Sequence, residues 1–374
     1  MKFVISSAAL SSRLLTLGRI IAQRNSMPIL GCFCFDIKGT GLTVTASDSD
    51  STLRTTLELT EADQDIRFAV NAKTIQDAIK EVPDQPIDIY VNNDTYEMTI
   101  VYLNGQFKLM GQSADEYPEP AADTEGTAHV DIDATHLLTG ITRGLMAAAT
   151  DGARPQLNAV CFDLKADALS MVGTNGNQLA LTTLRTVQAS AEGVFLLPIR
   201  PATVLKGILG KDTGRVSATF GQRNATFVTD TYTFTCRQTD GRYPNYASVI
   251  PANNPIAFTV NRTGLVSVLR RVLICANPQA VLVKMRLESN SIVISSQDMD
   301  FGMSAEETIL CDYAGAPMRI AFRGDSLMNM IANLDSDDIT FRISDPSRAA
   351  VVVPAEAKDD ETALMLIMPS VFTD

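Results

Sequence analysis

Six times along the 374 residues the apolar period changes from two to about 3.6 in the same way. Phe3 and Ile5 alternate as on a half-buried strand, and Leu10 and Leu14 follow one helical turn apart. The same spacing recurs at Phe68, Val70, Ile75 and Ile79, at Val130, Ile132, Leu137 and Ile141, and at Leu197, Ile199, Val204 and Ile208. It recurs again at Phe258, Val260, Leu265 and Leu269, and at Ile320, Phe322, Leu327 and Ile331. Each copy predicts a strand that turns directly into an amphipathic helix.

The copies alternate between two types. After Ile79, Ile208 and Ile331 a new strand is expected eight residues on, at Ile87, Val216 and Ile339. The other type leads instead into a longer helix and a Pro-containing turn. One copy of each makes a unit, and Ile5, Ile132 and Val260 are equivalent points 127 and 128 residues apart. A repeat of that size means domains rather than solenoid turns. The Pro-, Ala- and Asp-rich stretch 117–126 and Asn253-Asn254-Pro255 separate them, so the units are expected at 1–125, 126–251 and 252–374. Alternating runs such as 87–91, 96–102 and 106–110, with Asn93-Asp94 and Asn104-Gly105 as turns, read as antiparallel meanders. The expected class is α+β, three pseudo-equivalent domains each with two helices and antiparallel sheets.

Composition narrows the function. Apolar residues at 45% and charged residues at 20% fit a soluble globular chain. Cys32, Cys34, Cys161, Cys236, Cys275 and Cys311 form no metal-ligand cluster and read as reduced core thiols of a cytoplasmic protein. No apolar run approaches the ~20 residues of a membrane span. Lys2 and the apolar residues after it faintly resemble a signal peptide, but internal copies of the same pattern make this stretch domain structure. His129 and His136 are the only histidines and read as structural or surface residues. No phosphate loop, nucleophile elbow or zinc-protease pair is present. Gly39-Thr40-Gly41 reads as a hairpin tip. Gly173-Thr174-Asn175-Gly176-Asn177 lies between two strand-like runs and reads as a turn rather than an anion cradle. No catalytic residue, cofactor or metal is expected.

The helices carry the informative charge. The windows 7–24, 72–82, 135–149, 199–211, 261–275 and 323–334 hold thirteen Lys and Arg against Asp77, Glu81 and Asp325. That is a net +10 within a chain of net −12, which leaves −22 for the remainder. Arg143, Lys206 and Arg271 each lie two residues from an apolar stripe position, about 200° around a helix, and are expected to face away from the core. One basic helix would be an ordinary solvated face. Six equivalent ones in an acidic chain suit a polyanion held through its phosphates without base readout.

Several stretches resemble those of one known family. They are Ser26-Met27-Pro28-Ile29-Leu30, Leu157-Asn158-Ala159-Val160, Thr174-Asn175-Gly176-Asn177-Gln178-Leu179-Ala180, Asp240-Gly241-Arg242-Tyr243-Pro244-Asn245-Tyr246 and Leu366-Ile367-Met368-Pro369. Together with the repeat, they make the whole chain similar to the bacterial DNA polymerase III beta subunits, the sliding clamps. The resemblance implies the DNA-clamp fold and a head-to-tail homodimeric ring around duplex DNA. It also implies an apolar pocket for short linear peptides of the replicative polymerase and clamp-loader subunits. From the helix charges, the DNA-facing bases are expected to include Arg24, Lys80, Arg143, Lys206 and Arg271. By the resemblance the pocket includes Leu157, Thr174, Gly176, Asn177, Gln178, Leu179, Pro244, Val249, Met368 and Pro369, and the dimer contact includes Phe107, Leu109, Leu273 and Ile274. The family commonly has Asp and Arg where this chain has Asn175 and Gln178, and ends in Arg-Leu where this chain has Val371-Phe372-Thr373-Asp374. The competing readings are a repeated-domain interaction scaffold that never encloses DNA, and an enzyme with an unrecognised site.

Overall fold

The structure, a computed structural model, describes residues 1–22, 27–119, 128–210 and 214–372. Arg24, Ser26, Lys211, the linker from 120 onward, Thr373 and Asp374 lie outside the described residues.

At each of the six expected junctions a strand runs without a loop into a helix. Lys2–Ser6 leads into α1 (Ser7–Leu17), Ile66–Asn71 into α2 (Ala72–Lys80) and Ala128–Asp133 into α3 (Ala134–Ala147). Gly193–Pro198 leads into α4 (Ile199–Leu209), Ile256–Asn261 into α5 (Arg262–Val272) and Met318–Arg323 into α6 (Gly324–Ala332). The junction residue often caps the helix it starts. Ser6 Oγ accepts from the Ala9 amide at 3.3 Å, Asn71 Oδ1 from Thr74 at 3.0 Å and Asn261 Oδ1 from Gly264 at 2.9 Å. Every position of the apolar pattern is buried except Ile199, which is half-buried. Burying each such side chain contributes about 1.5–3 kcal/mol before chain entropy is counted.

Packing divides the chain into two compact units that cut across the sequence repeat: 1–135 with 203–238, and 136–202 with 239–374. The first unit holds a 13-stranded antiparallel sheet. Its strands come from the first repeat and from Ala128–Asp133, Arg215–Phe220, Asn224–Val228 and Tyr232–Arg237 of the second. The seam is Tyr232–Arg237 against Ser51–Glu58, with Phe234 opposite Leu53. The second unit holds a 12-stranded antiparallel sheet joined in the same way, by Gln178–Leu184 against Glu361–Ile367. Each half of the middle repeat has an edge strand, and pairing it with a neighbouring repeat satisfies the backbone groups that edge would expose.

Helices pack in pairs on these sheets. In the first unit α1 contacts α2, and Gln76 Nε2 donates to the Leu14 carbonyl at 2.7 Å. In the second α5 contacts α6 over a core that includes Phe258, Leu265, Leu269, Phe322, Leu327, Ile331 and Phe341. There α3 lies so close to the sheet that a Cβ on Gly173 would sit 1.9 Å from the Gly144 carbonyl oxygen.

Candidate functional site

Of the residues expected to line a peptide pocket, Thr174, Gly176, Asn177, Gln178 and Leu179 lie on one hairpin of the second unit, Met368 and Pro369 follow the strand beside it, and Leu157, Pro244 and Val249 come from short turns and a loop. Ala168–Thr174 and Gln178–Leu184 are joined by a turn in which Asn175 Oδ1 accepts from the Asn177 and Gln178 amides at 2.9 and 3.0 Å. Gly176 has φ +93°, a conformation an L side chain resists. Arg154 Nη2 holds the turn by donating to the Asn175 carbonyl at 2.9 Å. Within the stretch 173–177, Gly173 and Thr174 end the strand and 175–177 form the turn, which Asn175 shapes.

Glu361–Ile367 lies alongside, with Leu366 opposite Leu179 and Ile367 opposite Gln178, and the Met368 amide donates to the Asn177 carbonyl at 2.8 Å. Leu157, Leu179, Tyr243 and Leu366 belong to one buried apolar cluster, with Tyr246 and Ile250 packed against it. Asn177, Val249 and Met368 are exposed around it, as are Gly176 and Pro244, and Thr174 and Pro369 are half-buried. Burial pushes the Tyr243 and Tyr246 phenols up, and Tyr246 is raised further by donating to Asp163 Oδ2 at 2.7 Å. The cluster is thus apolar, with the charged side chains of Asp163 and Arg154 bonded at its margin. Gln178 is buried and donates through Nε2 to the Met146 carbonyl at 3.0 Å, so this side chain ties α3 to the hairpin.

The basic residues differ in fate. Lys80 is exposed in the last turn of α2, and Lys206 is half-buried on α4. Arg271 is exposed but engaged: its guanidinium donates to both carboxylate oxygens of Glu307, at 2.7 and 2.6 Å, and to Ser267 Oγ. That pairing raises the Arg271 pKa and lowers that of Glu307. Arg143 does not face outward at all. It is 2% exposed, donates to the Asn333 carbonyl at 3.0 Å and pairs with buried Glu361. The helical wheel misplaces it because α3 is covered on more than one side, by the strands that Gly140 and Gly144 approach and by Glu361 and Thr182. Arg143 is a packing residue, not a free phosphate contact.

Several strand edges are unpaired among the described residues, and two of them lie at or beside the expected dimer contact. Residues 105–110 of the strand Gly105–Ser113 pair only with Glu97–Tyr102, and residues 303–310 of Met303–Asp312 only with Ser291–Asp298. Phe107 and Leu109 are half-buried on the first edge, which carries Lys108, whereas the second carries Glu306 and Glu307. Leu273 is half-buried and Ile274 is 74% exposed in the turn after α5. Sequence reasoning missed Leu103, Met110 and Leu310, apolar side chains 67–86% exposed on or beside the same two edges. Their one signal in the sequence is that they break the alternation of a half-buried strand.

Comparison with known proteins agrees with the fold. Three family models match in order: the DNA polymerase III beta subunit N-terminal domain at residues 1–121, the central domain at 131–245 and the C-terminal domain at 247–370. The chain belongs to the DNA polymerase III beta subunit family. The beta sliding clamp of Pseudomonas putida is 24% identical over 371 residues, 99% of each chain. That of Synechococcus elongatus is 24% identical over 365 residues, covering 95% of this chain and 96% of the relative. The fold matches the crystal structure of the DNA polymerase III subunit beta from Pseudomonas aeruginosa with a TM-score of 0.90 at 24% identity, over 99% of this chain and 100% of that one. The crystal structure of the DNA polymerase sliding clamp from Bacillus subtilis matches with a TM-score of 0.90 at 23% identity, over 100% of both chains. Beta subunits are non-catalytic processivity factors, so membership makes this chain a DNA sliding clamp rather than an enzyme or a scaffold. No helix among the described residues is long and apolar enough to cross a membrane.

Proposed function

We propose that two copies of this chain close head to tail into a ring around duplex DNA in the cytoplasm and tether the replicative polymerase to it. The observation that carries the reading is the pair of open strand edges. Residues 105–110 and 303–310 are of similar length and opposite charge, and each is flanked by exposed apolar side chains. Edges of this kind pair with another chain. A heterologous contact made twice closes with twofold symmetry. Phe107, Leu109, Leu273 and Ile274 pack in that contact, and the domain boundaries fall near 125 and 251.

Lys80, Lys206 and Arg271 touch phosphates loosely, as does Arg24, so the ring slides without reading sequence. Leu157, Thr174, Gly176, Asn177, Gln178, Leu179, Pro244, Val249, Met368 and Pro369 accept apolar anchors of short peptides from the polymerase and the clamp loader. A topologically linked ring stays on circular DNA and leaves linear DNA by its ends. Retention of the loaded protein on a nicked circle, lost on linearisation, is expected. Equal loss from both substrates would refute encirclement. Removal of residues 368–374 is expected to abolish peptide binding and to leave the dimer intact.

A further inference from the structure

Where the strand Glu361–Ile367 leaves its neighbour Ala350–Pro354, the sheet of the second unit opens. The two strands pair from Ala350 opposite Ile367 to Val352 opposite Met365 and no further. Beyond that rung, Val353 and Pro354 part from Ala363 and Leu364, and together with Leu181 they wall a cavity of about 270 Å³. Arg143 and Glu361 line it as well, and none of the residues expected in the peptide pocket does.

The ion pair at this cavity uses only part of each group. Arg143 Nη1 donates to Glu361 Oε1 and to Thr182 Oγ1, and Nε donates to the Asn333 carbonyl. Nη2 and Glu361 Oε2 have no hydrogen-bond partner among the described residues, and neither atom is sealed from accessible space. An open donor and an open acceptor therefore stand on neighbouring side chains that are themselves 2% and 6% exposed. The charges lining the cavity balance, with Arg143, Arg342 and Lys358 against Asp335, Glu356 and Glu361. An anion brought to Nη2 would face the Glu361 carboxylate, and a cation brought to Oε2 would face the guanidinium. The group that satisfies both atoms is neutral and carries an acceptor and an N–H donor on one carbon.

We propose that this cavity binds a primary carboxamide on a short apolar stem. The amide oxygen accepts from Arg143 Nη2, the amide nitrogen donates to Glu361 Oε2, and the stem lies against Leu181, Val353 and Leu364. The carboxamide comes from a free amide or from a Gln side chain of a bound peptide, since Leu181 and Leu364 also pack against the apolar cluster that holds Leu157 and Leu179. The site itself does not rest on the peptide-pocket reading.

Saturation-transfer NMR of the whole protein with pentanamide, pentanoate and pentylammonium reads the choice. Pentanamide is expected to bind saturably and the two charged analogues about tenfold more weakly, because each leaves one buried group without its partner. Leu364→Trp is expected to abolish pentanamide binding by filling the gap while leaving the ion pair in place. Glu361→Gln keeps an oxygen for Arg143 Nη1 and turns the open acceptor into a donor, so preference is expected to move from pentanamide to pentanoate, a change that lost packing would not produce. Displacement of pentanamide by N-acetylglutamine methylamide assigns a peptide side chain as the source, and its failure assigns a free amide. The proposal is overturned if pentanamide binds no better than pentanoate, if Leu364→Trp binds it unchanged, or if folded Glu361→Gln keeps the amide preference.

Discussion

Arg143 on α3 and Glu361 on the strand Glu361–Ile367 form an ion pair in which both side chains are buried, 2% and 6% exposed. The guanidinium also donates to the Asn333 carbonyl just past α6, so one side chain joins α3, the sheet and the end of α6 within the second unit.

Removing one partner leaves the other charge buried and alone. Arg143→Met or Glu361→Leu is therefore expected to cost about 3–5 kcal/mol, while the double variant recovers most of that loss. Urea unfolding followed by circular dichroism checks it. Equal losses in single and double variants would show that packing, not charge, is what Arg143 supplies.

The exposed bases behave differently. Lys80→Ala or Lys206→Ala alone is expected to change retention on circular DNA little, and the two combined to shorten it. Each lost phosphate contact reduces the slope of log affinity against log salt by about 0.9. A single substitution that altered sequence preference would argue against a non-specific lining.

The dimer contact is open to a direct test. Leu273→Ala with Ile274→Ala is expected to give monomers in sedimentation, and Lys108→Glu to weaken the dimer by placing like charge near Glu306 and Glu307. An undisturbed dimer in both cases would move the interface off these edges.

Thiol chemistry follows burial. Cys32, Cys34, Cys161, Cys236 and Cys311 are buried, and burial raises their pKa, so they resist alkylation at neutral pH. Cys275 is partly exposed and is expected to be the one fast-reacting thiol in the native protein. Mass spectrometry after brief iodoacetamide treatment reads this out, and fast labelling at Cys161 or Cys236 would contradict it.

A last test is of pH. Lys358 lies 2.8 Å from Asp335; it holds that carboxyl below its ordinary pKa and is itself raised by it. The depressed acid contributes stability above its unfolded pKa that is lost as pH falls through the folded value. The raised amine contributes stability below its unfolded pKa that is lost as pH rises through the folded value. Both groups are largely exposed, so Lys358→Met is expected to cost only a few tenths of a kcal/mol between those limits and nothing beyond them. A pH-independent difference in unfolding free energy would mean that the loss is one of packing.

Local rules determined the six strand–helix junctions, and local rules can be read from a sequence. The period change at Phe3 to Leu14 and its five copies, with Ser6, Asn71 and Asn261 as caps, needs no knowledge of distant neighbours. The family resemblance grouped Leu157, Leu179 and Met368; Leu157 and Leu179 share one apolar cluster, and the Met368 amide bonds the turn beside it, a turn that Asn175 and Gly176 set locally. Tertiary structure alone decided that Tyr232–Arg237 pairs with Ser51–Glu58 and Gln178–Leu184 with Glu361–Ile367, so that the middle repeat is shared between two compact units. It decided that Arg143 is buried where the helical wheel points it outward, that Met110 and Leu310 stand exposed, and that Phe372 folds back over Lys284. In each of these cases the environment of a side chain is set by a strand or helix far away in sequence. Period and propensity describe one element at a time and carry no information about what covers its other face.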